Sequence, residues 1–261
     1  MNPASFFIKI ISADTNPNKK NFSSGIILLF VLLFEYLMTE YSLHSEIKTW
    51  YSISKDDLEV KVKDGFVIDV IRDNLLIEIQ TKNFSAIKKK LNKLIVDKQV
   101  RLVYPIAKVK WIIYVSKLGK IISRRKSPKK GKLVDLFYEL VHLSYLVKHS
   151  NFSFEVLLIE EEEFRCNDGN GSWRRRGASI KDRKLLTVSD RFVFENSQGF
   201  LRFLPFDIGK SFTNKLLMKK LGVSIKLAQK ITYCLRKMDL ISIIGKKRKE
   251  LVFKVTNKIA V

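Results

Sequence analysis

A chain of 261 residues is long enough for two modest domains, and its 46% hydrophobic content argues against global disorder. The 49 lysine and arginine residues outnumber 26 acidic ones, and the net charge of +23 favours a polyanionic partner, either nucleic acid or an anionic membrane face, over a solvated basic surface with no partner. Two widely spaced cysteines, Cys166 and Cys234, argue against a disulfide framework and a zinc finger, and fit a reducing cytoplasm.

The first 37 residues lack the pattern of a folded element. An apolar run at residues 25–34 follows Lys19 and Lys20, as in a secretory signal peptide, but no small-residue cleavage site comes after it. The run is also too short to cross a bilayer as a helix. We therefore expect the folded protein to begin at Met38, with residues 1–37 as an N-terminal extension. A genuine segment at 25–37 would instead imply a membrane-tethered or exported protein.

Residues 38–200 alternate between helical and strand patterns, which is typical of an α/β (α+β) domain with a mixed sheet. In chain order, the patterns predict a helix over 39–51, strands at 58–62, 66–71 and 75–80, a helix capped by Ser85, a strand at 100–106 ended by Pro105, strands at 111–115 and 121–122, a helix over 133–147 and a strand at 152–159.

Charged segments lie between and after these elements. Residues 124–132 are basic and contain a proline and a glycine, which predicts a loop. The four glutamates at 160–163 are predicted to be a charged strand end. Trp173 is followed by three arginines and offers a ring that can stack on a base. The candidate phosphate contacts in these segments are Arg124, Arg125, Arg174 and Arg175, and the alternative is that both segments are solvated loops.

A predicted hairpin brings two acids together. The turn pair Asp73-Asn74 tolerates left-handed backbone conformations, and a two-residue turn there sets Asp69 opposite Glu78. Directly opposed residues have Cβ atoms about 4.5–5.5 Å apart, so two acids in apolar strands repel. A bound Mg²⁺ or Mn²⁺ is the simplest compensation, because Mg²⁺ takes one or two carboxylates and keeps waters for a phosphate. Neighbouring lysines or arginines that neutralise the acids are the alternative.

Three further polar residues are expected near this pair. Strand alternation places Gln80, and Lys82 if the strand continues, on the face of Glu78. Glu46 lies within the apolar stripe formed by Leu43, Ile47 and Trp50, so we expect it to face the sheet as a third carboxylate.

These residues resemble the pattern of the PD-(D/E)XK nuclease superfamily. In that family a helix carrying an acid precedes a strand with an aspartate and a strand with (Asp/Glu)-x-Lys, and another helix follows. Glu46, Asp69 and Glu78-Ile79-Gln80 stand at the matching places, within residues 39–115. The resemblance implies a restriction-endonuclease-like core that hydrolyses phosphodiester bonds, with Asp69 and Glu78 as metal ligands and Glu46, Gln80 and Lys82 as catalytic helpers.

Gln80 departs from the family pattern, which has lysine there. Some restriction endonucleases of the superfamily also carry glutamine, and Lys82 can supply a positive charge from one pleat further along the strand. Glutamine itself brings no charge to stabilise the phosphate. A catalytically inactive, nuclease-like DNA-binding protein or transcriptional regulator is therefore the alternative interpretation.

Residues 205–258, after a linker expected at 196–207, predict a helix-turn-helix. Thr213 caps one helix, Gly222 ends it, and Ser224 caps the next, which runs to Met238. The apolar face of that second helix comprises Leu227, Ala228, Ile231, Leu235 and Met238. Its open face, suited to a DNA major groove, comprises Lys226, Gln229, Lys230, Tyr233 and Lys237.

A hairpin with a basic tip ends the chain and looks like the wing of a winged-helix domain. Lys246, Lys247 and Arg248 would touch the phosphate backbone or the minor groove. The sequence thus predicts a cytoplasmic, Mg²⁺-dependent nuclease that a winged helix targets to double-stranded DNA. Use of the winged helix for protein contact, as in a homodimer, is the other option.

Overall fold

A computed structural model describes residues 42–62 and 65–256. The expected extension at 1–37 lies outside the described residues, as do residues 39–41 of the first predicted helix. In the described part, no helix is long and apolar enough to span a membrane. The architecture is mixed α/β, as the sequence predicts, with a large mixed sheet and a small three-stranded sheet.

The helices are α1 (Ser42–Tyr51), α2 (Phe84–Leu94), α3 (Phe137–Leu140), α4 (Asn214–Leu221) and α5 (Ile225–Lys237). The strands are β1 (Leu58–Lys61), β2 (Val67–Arg72), β3 (Leu75–Ile79), β4 (Gln99–Val115), β5 (Ile121–Lys126), β6 (Phe152–Asn167), β7 (Ala178–Phe194), β8 (Phe212–Thr213), β9 (Ile241–Lys247) and β10 (Glu250–Val255). Short 3₁₀ helices lie at Lys55–Asp57, Leu133–Leu136, Leu146–Lys148, Trp173–Arg175 and Ser197–Phe203.

The large sheet has the order β1-β2-β3-β4-β6-β7, and β5 also pairs with β4. Strands β1 to β3 form an antiparallel meander, and β4 runs parallel to both β3 and β6. The predicted hairpin is confirmed: Val70 pairs with Ile77, Arg72 pairs with Leu75, and Asp73 has a left-handed φ of 53°. This turn fixes the register of the two strands that carry Asp69 and Glu78.

The two faces of the large sheet are covered by different elements. Helix α1 buries Leu43, Ile47 and Tyr51 against one face. Trp50, predicted in the same apolar stripe, is instead 46% exposed, because Tyr51 takes the inward position. Helix α2 covers the other face. It begins at Phe84 after an N-cap residue, Asn83, rather than after the predicted cap Ser85.

Strand β4 continues through Pro105, contrary to the prediction that this proline ends it. Val103 directs its backbone toward β3, since its carbonyl accepts from the N–H of Gln80. Residues two apart in a strand direct their backbone groups to the same edge, so the Pro105 nitrogen also faces the β3 edge of β4. Strand β3 has already ended there, so the missing N–H leaves no ladder bond unmade.

Two other segments differ from their predictions. The helix expected over 133–147 is broken into Leu133–Leu136, α3 and Leu146–Lys148. The linker expected at 196–207 contains the 3₁₀ helix Ser197–Phe203, whose Phe200 is fully buried and stacks on Phe194 with ring centroids 4.4 Å apart. These aromatic contacts keep the segment in the core, whereas a linker would be exposed.

Residues 212–255 form the C-terminal module. Helices α4 and α5 are capped as predicted, since the hydroxyls of Thr213 and Ser224 accept from the N–H groups of Leu216 and Leu227. The three strands have the order β8-β10-β9. The predicted apolar face of α5 is buried, and the core on the α2 side of the large sheet continues without interruption into this module. The described residues therefore belong to one compact unit.

Candidate functional site

The carboxylate of Asp69 lies at the point where the β2–β3 ladder opens. The last paired residues are Val70 and Ile77, and beyond them the N–H of Ile79 donates to Asp69 Oδ2 at 2.8 Å. The same oxygen lies 3.1 Å from His44 Nε2 of α1. Burial by itself raises the pKa of Asp69, but the His44 and Ile79 contacts hold it below its usual range. Asp69 is therefore an ionised carboxylate at neutral pH.

The carboxylate of Glu78 is 4% exposed and in a different electrostatic environment. Burial and then the nearby charge of Asp69 raise the pKa of Glu78 to about 7, against the opposing effect of Lys90. The Lys90 ammonium of α2 lies 2.5 Å from Glu78 Oε1 and also donates to the Val67 carbonyl. Lys90 is therefore the cation that neutralises the buried Glu78 carboxylate.

Asp69 and Glu78 are neighbours that are contacted from opposite sides of the sheet. His44 reaches Asp69 from α1, and Lys90 reaches Glu78 from α2. Ile68 belongs to the core on the α2 side and Val70 to the core under α1, so β2 changes face at Asp69. The predicted pairs are present up to Val70 and Ile77, but the ladder does not extend to Asp69 and Glu78, and each carboxylate has a cationic or imidazole neighbour of its own. For Glu78 this neighbour is Lys90, a neutralising cation of the kind that the sequence analysis gave as the alternative to a metal ion.

The three predicted helper residues have separate partners. Glu46 accepts from the N–H of Leu185 in β7 at 2.5 Å, so it ties α1 to β7 and does not join the pair. The Gln80 side chain donates to the carbonyl of Lys82, also at 2.5 Å. Lys82 is exposed. The residues that do reach the acids are His44 of α1, which contacts Asp69, and Lys90 of α2, which contacts Glu78. The sequence had predicted Glu46 and Lys82 in these places.

The donor set is small for a metal centre. Across residues 42–62 and 65–256, no three histidine, cysteine, aspartate or glutamate side chains are grouped to hold a metal ion. Asp69 and Glu78 are thus two carboxylates without a third protein ligand of these types in the described part of the chain. That number suits Mg²⁺, which binds through one or two carboxylates and retains water.

The basic segment 124–132 lies on the same edge of β4 as the Glu78 end of β3. Strand β6 pairs with β4 over residues 100–115 and occupies the opposite edge. Along the open edge, the Val103 carbonyl accepts from Gln80, and the Ala107 carbonyl accepts from Gly131. Four residues of strand separate these two carbonyls, which is about 13 Å. A Cβ on Gly131 would lie 2.6 Å from the Ala107 carbonyl oxygen, so glycine permits this close approach.

Part of this segment is a strand, whereas the sequence predicted a loop. Arg124, Arg125 and Lys126 belong to β5, and they pair with Ile113, Ile112 and Trp111. The Arg124 guanidinium lies 3.8 Å from the centre of the Trp111 ring. Lys126 lies 5.5 Å from the same ring. Cation–π contact with one tryptophan lets two like charges sit on one strand, so β5 presents an ordered basic edge.

The second arginine cluster lies in the connection between β6 and β7. Trp173 is 82% exposed, with Arg174 5.5 Å from its ring centre. Arg175 donates to the carbonyl of Ala178 at 3.0 Å and so helps to hold the connection. The exposed ring is placed on the surface, as base stacking requires.

The glutamates at 160–163 lie inside β6 and not at its end. Glu161 and Glu163 are 3% and 2% exposed, and Lys110 lies 2.7 Å from a carboxylate oxygen of each. Arg165 and Arg183 complete the pairing of Glu163. Burial opposes ionisation of Glu163, but these three cations lower its pKa to about 2. The cations come from β4, β6 and β7, so the cluster joins three strands.

The C-terminal module presents its basic residues on two surfaces. The hairpin of β9 and β10 turns at Arg248, which has a left-handed φ of 57°, and Lys246, Lys247 and Arg248 are exposed. On α5, Lys226 and Gln229 are exposed near the helix start. Lys230, Tyr233 and Lys237 turn instead toward α3 and α2: Lys230 donates to the Tyr138 carbonyl, and the other two residues line a groove.

The comparisons with known proteins identify the family. A family model described as Domain of unknown function (DUF8091) matches residues 41–195, which is more than half of the chain. The chain belongs to this family. A relative from Treponema pallidum (strain Nichols), described as an uncharacterized protein, is 32% identical over 171 residues, or 64% of this chain and 68% of the relative. No solved structure matches the chain. The family region includes Asp69, Glu78 and the basic edge, and ends before the C-terminal module.

Proposed function

We propose that this DUF8091 protein binds double-stranded DNA and hydrolyses its phosphodiester bonds at Asp69 and Glu78 with Mg²⁺ or Mn²⁺. The observation that carries the proposal is the 2.8 Å bond from the N–H of Ile79, the residue after Glu78, to the Asp69 carboxylate. It holds the Asp69 carboxylate against the backbone one residue beyond Glu78, so the two acids lie on adjacent strands at the end of a hairpin. The order helix, three-stranded meander, helix and parallel strand supports the resemblance to the PD-(D/E)XK superfamily and a restriction-endonuclease-like core.

Asp69 and Glu78 supply oxygen ligands of the kind that a divalent cation takes, and the cation would compete with Lys90 for Glu78. Two acids close enough for Asp69 to raise the pKa of Glu78 repel each other, and Lys90 offsets that repulsion only in part. Mg²⁺, when bound, would supply the Lewis acid that activates water and stabilises charge on the phosphate. His44 orients Asp69, and Lys90 brings to Glu78 the positive charge that Gln80 lacks.

The proposed DNA surface comprises three basic parts of the chain: strand β5, the loop that leads to Gly131, and the tip of the β9–β10 hairpin. The loop to Gly131 meets β4 about 13 Å from the Glu78 end of β3, and β5 lies further along the same edge of β4. The C-terminal module has the element order of a winged helix, with an exposed basic hairpin tip in the position of a wing. These cations would hold the backbone near the acids while giving no sequence specificity themselves. Two buried free cysteines fit a cytoplasmic location, where thiols stay reduced.

Cleavage of supercoiled plasmid tests the proposal. Purified protein with Mg²⁺ or Mn²⁺ should nick or linearise the plasmid, and chelator should stop the reaction. Asp69→Asn and Glu78→Gln should each lose the activity, whereas Asp97→Asn, at an exposed acid after α2, should keep it. Equal cutting by all three variants would mean that the activity comes from elsewhere, and no cutting of duplex DNA by the wild type would refute the hydrolytic proposal.

A specific contact favours a second candidate, a DNA-binding regulator without catalysis. Lys90 already neutralises Glu78, and Gln80 replaces the lysine of the family pattern. A regulator of this kind would bind duplex DNA equally well in chelator and with Asp69→Asn, and its affinity would fall steeply with salt. Binding with those properties and without cutting would favour the regulator over the nuclease.

A further inference from the structure

A groove separates helix α2 from the second half of α5, on the side of the molecule where the C-terminal module packs. It has a volume of about 450 Å³. The polar residues that line it are Ser85, Lys88, His142, Ser144, Tyr145, Tyr233 and Lys237. Both tyrosines are partly exposed, Tyr145 at 36% and Tyr233 at 39%, so their rings form part of the accessible wall.

Each tyrosine in the groove is accompanied by a lysine. The Lys88 ammonium lies 5.3 Å from the centre of the Tyr145 ring, and the Lys237 ammonium lies 5.9 Å from that of Tyr233. Two hydrogen bonds with the side chain of Asn92 fix the Tyr145 hydroxyl. Glu139, the acid of α3, accepts from the N–H of Phe84. The groove therefore has an aromatic surface, a positive charge and fixed side chains.

The walls of the groove leave no room for a duplex. A major groove receives a whole helix and needs that helix to project from its domain. The second half of α5 does not project, because Lys230 reaches the Tyr138 carbonyl at 3.4 Å and Tyr233 faces α2 across the groove. Aromatic rings flanked by cations instead match the requirements of a single strand, whose unpaired bases stack on rings while lysines bind its phosphates.

We propose that this groove binds single-stranded DNA, so that the substrate is a duplex with a single-stranded tail or branch. The inference that a tailed or branched duplex is the substrate rests on the proposed hydrolysis. The inference that the groove binds a single strand is independent of it. The duplex would contact the basic hairpin tip and β5, and the unpaired strand would lie between α2 and α5.

Fluorescence anisotropy of labelled oligonucleotides, measured in chelator, tests the groove independently of catalysis. A thymidine oligonucleotide should bind, and Tyr145→Ala and Tyr233→Ala should each weaken its binding at least about fivefold. Tyr→Phe at either position keeps the ring and should restore most of the affinity. Phe206→Ala, at a fully exposed aromatic residue outside the groove, is the matched control and should change nothing.

The two proposals fail in different ways. Unchanged single-strand affinity in both Tyr→Ala variants, with native thermal midpoints, would overturn the groove proposal and leave plasmid cleavage unaffected. Loss of affinity only in variants whose thermal midpoint falls, with no rescue by Tyr→Phe, would also overturn it. Intact groove binding by a protein that cuts no DNA would instead refute hydrolysis. Faster cutting of a tailed duplex than of a blunt one, lost in Tyr145→Ala, would support both proposals.

Discussion

Lys90 of α2 lies 2.5 Å from Glu78 Oε1 and holds a carboxylate that is almost fully buried. The lysine bonds the Val67 carbonyl as well, so one ammonium links α2 to both strands of the hairpin. A buried carboxylate next to a second acid is unfavourable without such a cation. The stability of this part of the fold and the chemistry of the proposed site therefore depend on the same side chain.

Replacing Lys90 should destabilise the protein in a pH-dependent way. In Lys90→Met the ionised Glu78 loses its cation, which should cost roughly 3 kcal/mol at pH 8. The cost should be smaller at pH 5, where Glu78, with a pKa of about 7, is protonated in the folded state. Urea unfolding at both pH values measures this. Lys89→Met, at an exposed neighbour on α2, is the control, and equal losses in the two variants would contradict the prediction.

Glu78→Gln should show the opposite dependence. The folded-state pKa of about 7 lies above the ordinary value of 4.5, so protonated Glu78 stabilises the fold below pH 4.5. This contribution is lost as the pH rises through 7. Glutamine imitates the protonated form, so the variant should match the wild type at pH 4.5 and exceed it by roughly 3 kcal/mol at pH 8. Denaturant titrations in chelator give both values, and a constant difference across this range would be inconsistent with a raised pKa.

Glu163 offers a depressed pKa for comparison. Its folded-state pKa of about 2 lies below 4.5, so its contribution to stability is present above pH 4.5 and is lost as the pH falls toward 2. Glu163→Gln leaves Lys110, Arg165 and Arg183 with less negative charge and should cost about 3 kcal/mol at pH 7. Glu162→Gln, which removes a more exposed partner of Arg124, should cost less than about 1 kcal/mol. Thermal unfolding of the two variants decides whether the buried cluster carries this stability.

The hairpin tip should contribute affinity without specificity. The double variant Lys247→Ala, Arg248→Ala should bind every duplex more weakly, and the slope of log affinity against log salt should fall by about 2. Lys254→Ala, at an exposed lysine of β10 away from the turn, is the matched control. A loss limited to one DNA sequence would show base contact instead, and no loss would remove the tip from the DNA surface.

The sequence predicted the hairpin well because its determinants are local. Asp73 and Asn74 fix the turn, and the turn fixes every pair up to Val70 and Ile77. The caps of α4 and α5 were predictable for the same reason, since a hydroxyl and an N–H three residues later are close in the chain. Local chemistry therefore located Asp69 and Glu78 without knowledge of the rest of the fold.

The partners of those acids could not be found in this way. His44 and Lys90 reach them across helix-to-sheet contacts, and the positions of those helices depend on the whole core. The glutamates at 160–163 were misplaced for a similar reason: their cations lie on β4 and β7 as well as on β6. A signal was present for Glu161 and Glu163, because alternate residues of a long strand share a face.

The continuous core between the large sheet and the C-terminal module limits how the protein can address DNA. Phe200 and Phe212 belong to the same buried cluster as Leu76 of β3, so no flexible joint separates the basic hairpin tip from the acids. In the proposed function, any cut would fall at a constant number of base pairs from the position at which the module is seated. The distance between the seated module and the cut would be fixed by the apolar packing that joins the module to the large sheet.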